Sequence, residues 1–131
     1  MTAALERAVI DPGREAYLEA TWTLKERIRR EEGALIQDRA FFSYQYRRST
    51  VHLFLDEGDV VAFAVVQPDG YMVLLGVAPA YRRRGLATRL VGAIADDFGR
   101  VTCHTRVDNR GAIAFYTDRG FVVEERIPGY Y

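Results

Sequence analysis

A chain of 131 residues with 49% hydrophobic composition has the size of one domain and enough apolar side chains for one continuous core. Its 18 basic and 18 acidic residues cancel, so no global field draws it to nucleic acid or to an anionic membrane, and any anion site must be local. A single cysteine, Cys103, excludes an internal disulfide and supplies too few soft ligands for a structural zinc site, a pattern that fits the cytoplasm.

The sequence starts without the basic patch and apolar run of a signal peptide, and no stretch approaches the length that spans a bilayer; a soluble protein is expected. No repeat or low-complexity linker interrupts residues 1–131, which are read as one domain. Leu5 to Val9 forms a first strand, closed by the turn signal Asp11-Pro12-Gly13. Tyr17, Thr21, Leu24 and Ile28 recur at helical spacing between Arg14 and Arg30, with Gly33 as a stop, and a second, less regular helix covers Gln37 to Tyr46. Val51 to Leu55 and Val60 to Gln67 read as a hairpin through Asp56, Glu57 and Gly58. Tyr71 to Val77 is nearly continuous in apolar residues, as in a central strand buried on both faces. Leu86, Leu90, Ile94 and Phe98 mark one stripe of a helix from Gly85 to Phe98. Thr102 to Arg106 reads as a strand, Asn109 to Arg119 as a helix between an Asn N-cap and Gly120, and Phe121 to Arg126 as a last strand. The expected class is α/β (α+β), a mixed, mostly antiparallel sheet with helices on both faces.

The strongest chemical signal lies at one strand-to-helix junction, Val77-Ala78-Pro79-Ala80-Tyr81-Arg82-Arg83-Arg84-Gly85-Leu86-Ala87-Thr88. Gly85 and Ala87 are small enough for backbone N–H groups to approach a phosphate, and the helix N-terminus adds its partial positive charge. Arg82, Arg83 and Arg84 at the rim can neutralise a pyrophosphate through charge-assisted bonds. By itself the same segment also reads as a solvated basic turn before an ordinary helix.

Arg82-x-x-Gly85-x-Ala87 after a Val-Ala-Pro strand end resembles the coenzyme A pyrophosphate motif of the GNAT acetyltransferases. Asn109-x-x-Ala112-x-x-Phe115-Tyr116, followed by Gly120-Phe121, resembles the second signature of that family in the expected order. The resemblance implies a V-shaped splay between the strand ending at Val77 and the strand at Thr102, which would admit the pantetheine arm of acetyl-CoA. It implies that backbone groups of Val77 and Ala78 pair with pantetheine and that Arg82, Arg83, Arg84, Gly85, Leu86, Ala87 and Thr88 hold the pyrophosphate. Asn109 would face the cofactor, cap its helix, or do both. No metal is implied.

Acetyl transfer needs a neutral amine, a polarised thioester carbonyl and a proton for the leaving thiolate. Tyr116 matches the family tyrosine that protonates the thiolate, and backbone N–H groups from Leu75 to Val77 are placed to hold the oxyanion. His104 stands where ribosomal-protein N-terminal acetyltransferases carry a glutamate and one group of eukaryotic N-terminal acetyltransferases carries histidine. In the latter a tyrosine at the start of the central strand shares a water with that histidine, and Tyr71 matches it. Cys103 and His104 are adjacent on a strand and point to opposite faces, so direct transfer is expected rather than an acyl-enzyme. His52 lies on another strand and reads as structural.

Tyr130 and Tyr131 resemble the paired tyrosines that grip the acceptor backbone in N-terminal acetyltransferases, with the loop from about Glu31 to Asp38 as the opposite wall. The expected acceptor is a protein N-terminus, with a small-molecule amine as the alternative; a coenzyme A-binding module without turnover is the reading from another class. In the family a further strand follows the paired tyrosines, and here the sequence stops at Tyr131. Either a neighbouring chain completes that edge, as in a homodimer, or the substrate lip is less ordered.

Overall fold

The computed structural model describes residues 5–105 and 109–122. Their elements are β1 (Glu6–Ile10), α1 (Leu18–Glu32), α2 (Arg39–Arg48), β2 (Thr50–Asp56), β3 (Asp59–Val66), β4 (Met72–Val77), α3 (Leu86–Phe98) and α4 (Arg110–Asp118), with a short 3-10 turn at Pro79–Tyr81 before α3. The strands form an antiparallel sheet in the order β1-β2-β3-β4, so the architecture is a mixed α/β fold.

Side-chain alternation sends successive residues of β2 and β3 to opposite faces of this sheet. Leu53 lies opposite Phe63 on one face, where Phe63 and Ile28 of α1 crowd Gly76 of β4. His52 and Phe54 share the other face with Ala64 and Ala62, against Asp97 and Arg89 of α3. The two alanines leave room for α3, while β3 is buried along nearly its whole length. Helices thus cover both faces.

The starts of α1 and α2 differ from the sequence reading for local reasons. Helix α1 starts at Leu18 rather than Arg14 because the Asp11-Pro12-Gly13 turn is prolonged: the Gly13 N–H donates to the Arg47 carbonyl at 2.6 Å, and Tyr17 takes a left-handed conformation before the first helical residue. Helix α2 starts after Asp38, whose carboxylate accepts the Phe41 N–H at 2.9 Å as an N-cap. Lys25, fully buried on α1, stacks over the Trp22 ring at 4.7 Å and donates to the Gln37 carbonyl. That bond ties the loop between α1 and α2 to the helix before it.

The strands buried on both faces are β2 and β3, not the one ending at Val77. In β4 only Met72, Leu74 and Gly76 are buried, and the residues between them are half-buried because they border an open gap. On that side β4 meets residues 101–105 through one parallel bridge, Tyr71 to Thr102, with the Met72 N–H donating to the Thr102 carbonyl at 2.8 Å and the Thr102 N–H to the Gly70 carbonyl at 3.2 Å. Among the described residues the expected strand at Thr102 is reduced to this bridge, and beyond it the two backbones no longer pair. Phe121 and Val122 form no strand, and the rest of the expected last strand lies outside the described residues. No helix among the described residues is long and apolar enough to cross a membrane.

Candidate active site

The gap beside β4 widens into a cleft of about 1170 Å³ lined by β4, the loop 33–37, the N-terminal turn of α3, residues 103–105 and α4. The Ala78 N–H donates back into the sheet, to the Val61 carbonyl at 2.8 Å. Backbone alternation then directs the N–H groups of Leu75 and Val77 the other way, into the gap, while that of Ala78 is spent on sheet pairing. Of the backbone groups expected to meet pantetheine, Ala78 is therefore turned away.

At the upper end the chain leaves β4 through the 3-10 turn. The Tyr81 hydroxyl donates to Asp56, and the Arg84 guanidinium lies 4.8 Å over the Tyr81 ring. The Asp56 bond, with burial and the negative charge of Asp56 adding to it, holds the Tyr81 phenol above its ordinary pKa. Arg83 (φ +62°) and Gly85 (φ +74°) are both left-handed, which turns the chain sharply into α3. A Cβ on Gly85 would project into open space, and the first turn of α3 has no side-chain cap. Its N–H groups at Leu86, Ala87 and Thr88 thus face outward with their hydrogen-bonding capacity unspent by a cap, which suits an anion. A pyrophosphate fits this cradle.

Arg82 is placed differently from Arg83 and Arg84. Its guanidinium forms a two-pronged pair with Glu32 at the end of α1, one bond being 2.8 Å, and also donates to the Val77 carbonyl at 3.1 and 3.3 Å. Arg82 therefore fastens the loop to α1 and to the end of β4, and the Val77 carbonyl, expected to pair with pantetheine, is engaged by it. Nothing in the sequence near Glu32, one of several charged residues ending α1, singles it out for this contact.

At the lower end, where β4 and residues 101–105 part, His104 Nδ1 lies 2.8 Å from the Tyr71 hydroxyl and the rings meet edge-on at 5.2 Å. The expected partners are brought together in direct contact. Tyr116 reaches the cleft from α4, its ring flanked by Phe115 at 5.2 Å and Phe121 at 5.1 Å. Burial raises the pKa of the Cys103 thiol, and a hydrogen bond with Tyr116 only partly offsets this. Cys103 is thereby a poor nucleophile at neutral pH. Asn109 caps α4, its Oδ1 accepting the Ala112 N–H at 3.1 Å. Arg119, which the motif reading passed over, donates Nε to Thr88 Oγ1 at 2.7 Å. Its spacing one turn after Tyr116 was the available signal. His52 stays apart from the cleft, fully buried, with Nδ1 3.0 Å from Arg7. Tyr130 and Tyr131 lie outside the described residues. Among the described residues no group of His, Cys, Asp and Glu is arranged to hold a metal ion.

A family model described as the acetyltransferase (GNAT) family matches residues 10–121. The chain belongs to the GNAT acetyltransferase family. N-alpha-acetyltransferase 30 of Xenopus laevis is 34% identical in an alignment of 67 positions that covers 47% of this chain and 24% of that protein. The match thus spans about a quarter of the curated relative. Among solved structures, Arabidopsis thaliana Naa50 in complex with the bisubstrate analogue CoA-Ac-MVNAL has a TM-score of 0.72 at 19% identity, covering 95% of this chain and 89% of that one. AAC(6')-Iy in complex with the bisubstrate analogue CoA-S-monomethyl-acetylneamine has a TM-score of 0.73 at 16% identity, covering 98% of both chains. At these identities the two structures speak to the GNAT fold alone.

Proposed function

We propose that this GNAT domain is an acetyl-CoA-dependent N-acetyltransferase that moves an acetyl group directly to an amine, and that the amine is a protein N-terminus. The observation that carries this reading is the 2.8 Å contact between His104 and Tyr71 at the mouth of the split, in the same cleft as the α3 cradle and Tyr116. The cradle would hold the pyrophosphate on the N–H groups of Leu86, Ala87 and Thr88, with Arg83 and Arg84 at its rim. Acetyl-CoA supplies an activated acyl group. The N–H groups of Leu75 and Val77, which line the same cleft, would donate to the thioester oxygen as it gains charge.

In the tautomer that serves as base, His104 donates Nδ1–H to the Tyr71 oxygen, which leaves Nε2 with the lone pair that takes a proton from the acceptor. Tyr116 gives its hydroxyl proton to the leaving sulfur. An α-amine, with a pKa of about 7.7–8.0 against about 10.4 for lysine, has far more of its neutral form near pH 7 and needs only a modest base. The raised pKa of Cys103 supports direct transfer over an acyl-enzyme. The N-alpha-acetyltransferase name of the relative and the peptide-derived analogue on Naa50 support a peptide acceptor; the neamine-derived analogue on AAC(6')-Iy marks the alternative, a small-molecule amine.

The test is thiol release from acetyl-CoA with three acceptor panels: peptides with a free N-terminus, N-blocked lysine peptides, and small amines. The free N-termini are expected to be the best acceptors by at least about tenfold in kcat/KM, which corresponds to about 1.4 kcal/mol in transition-state free energy. A preference for small amines would replace the acceptor and keep the chemistry. Binding of acetyl-CoA without turnover of any amine would leave a coenzyme A-binding module.

A further inference from the structure

We propose that Arg119 is a positioning residue that couples occupation of the pyrophosphate cradle to the placement of Tyr116; the catalytic half of this inference rests on the function proposed above. Helix α4 carries Tyr116, yet it has no fully buried side chain to anchor it. Phe115 and Tyr116 are only partly buried against the core. Arg119, at the C-terminal end of α4, supplies a directional tie. Its Nε donates to Thr88 Oγ1 at 2.7 Å, its Nη1 donates to the Phe115 carbonyl at 2.8 Å, and its guanidinium lies 3.7 Å over the Phe115 ring.

These three contacts join two parts of the site. Thr88 is the third residue of α3, so its backbone N–H belongs to the cradle while its side chain holds Arg119. Phe115 adjoins Tyr116, and the Arg119 N–H donates to the Tyr116 carbonyl at 3.0 Å. A guanidinium held on a carbonyl, a ring and a hydroxyl has little rotational freedom, so a shift of the α3 N-terminal turn is passed to the turn of α4 that carries the proton donor. An anion in the cradle orders that N-terminal turn. Through Arg119 the same event sets the distance between Tyr116 and the sulfur that needs its proton. Lysine in this place would keep the charge and lose the planar fork that makes the contacts simultaneously.

The experiment compares wild type with Arg119→Ala, Arg119→Lys and Thr88→Val, reading amide hydrogen exchange across 113–118 with and without saturating CoA, beside kcat and the KM for acetyl-CoA. In wild type CoA slows exchange in α4, and in Arg119→Ala it still binds but leaves α4 exchange unchanged. Arg119→Ala and Thr88→Val each lower kcat about tenfold, the loss expected when a hydrogen bond to a charged group is removed. Arg119→Lys stays low, and Arg119→Ala combined with Thr88→Val is no worse than either alone, because both break one link. The proposal is overturned if CoA protects α4 equally without Arg119. It is overturned also if KM for acetyl-CoA rises at constant kcat, which would make Arg119 a phosphate ligand, or if only the melting temperature falls. A wild-type chain that acetylates no amine, yet shows the CoA-dependent protection that Arg119→Ala loses, would remove the enzymatic reading and uphold the coupling.

Discussion

In the proposed mechanism Tyr116 and His104 have opposite tasks, and their surroundings differ. Tyr116 sits against the rings of Phe115 and Phe121 and hydrogen-bonds with the Cys103 thiol. Tyr116→Phe removes one oxygen and keeps the ring, so we expect kcat to fall by about 10²-fold or more with little change in acetyl-CoA affinity, measured by steady-state kinetics beside calorimetry. Comparable loss of affinity would make Tyr116 a packing residue. His104 and Tyr71 touch, so their effects should not multiply: the double variant His104→Ala, Tyr71→Phe is expected to be less impaired than the product of the single losses. His52 offers a check on stability alone. Burial, reinforced by the Arg7 charge and opposed by Asp97, holds its pKa below the ordinary value. The unfolded chain then takes up a proton that the folded chain refuses, so stability present above about pH 6.5 is lost as pH falls, by up to about 1.4 kcal/mol per pH unit. Urea midpoints at pH 7.5 and 5.5 should therefore drop further for wild type than for His52→Gln, which removes the titrating group.

At the scale of elements, the cradle and the sheet each depend on a glycine for a different reason. Gly85 provides a left-handed entry into α3 and open space above it. Gly85→Glu strains the backbone and puts a carboxylate where a pyrophosphate would sit, so the folded variant should lose the acetyl-CoA-induced rise in melting temperature. A retained shift would remove the cradle assignment. Gly76 has no unusual backbone requirement; a Cβ there would come within 2.7 Å of the Phe63 ring and 3.1 Å of Ile28. Gly76→Ala should thus destabilise by about 1–3 kcal/mol through overpacking, seen as a lower urea midpoint with unchanged m-value. The pairs Arg82 with Glu32 and Lys25 with Gln37 hold the two walls of the cleft to the same helix, α1. That arrangement puts the Arg-rich loop before α3 and the loop 33–37 on one support.

At the scale of the whole molecule, the open side of β4 is what makes the fold a site. Its sheet-facing amides are satisfied by β3, while those of Leu75 and Val77 border a cleft that also receives α3, α4 and residues 103–105. A ligand that bridges these parts stabilises the folded state by mass action, about 2.7 kcal/mol at a concentration one hundred times its dissociation constant. Acetyl-CoA should therefore raise the melting temperature in a concentration-dependent way, and adenosine 3′,5′-bisphosphate, which lacks the pyrophosphate and pantetheine, should raise it less.

Local chemistry made much of this legible in advance. Turn residues, caps and apolar spacing determine the order of elements because each acts over a few residues, and the cradle is written into one continuous segment, 77–88. The family likeness of that segment and of 109–121 pointed to Tyr116, and the likeness to histidine-bearing N-terminal acetyltransferases paired Tyr71 with His104 across 33 positions. Only the tertiary structure decided which strands are buried along their length, since Val51 to Leu55, Val60 to Val66 and Met72 to Val77 are similarly apolar, and among the described residues β2 and β3 have a strand on each side while β4 has on one side only the bridge at Tyr71. It also decided that Arg82 turns to Glu32 while Arg119 reaches Thr88. Seventeen arginines and eighteen carboxylates admit many pairings of similar intrinsic strength, and the choice among them depends on where packed helices bring distant side chains together.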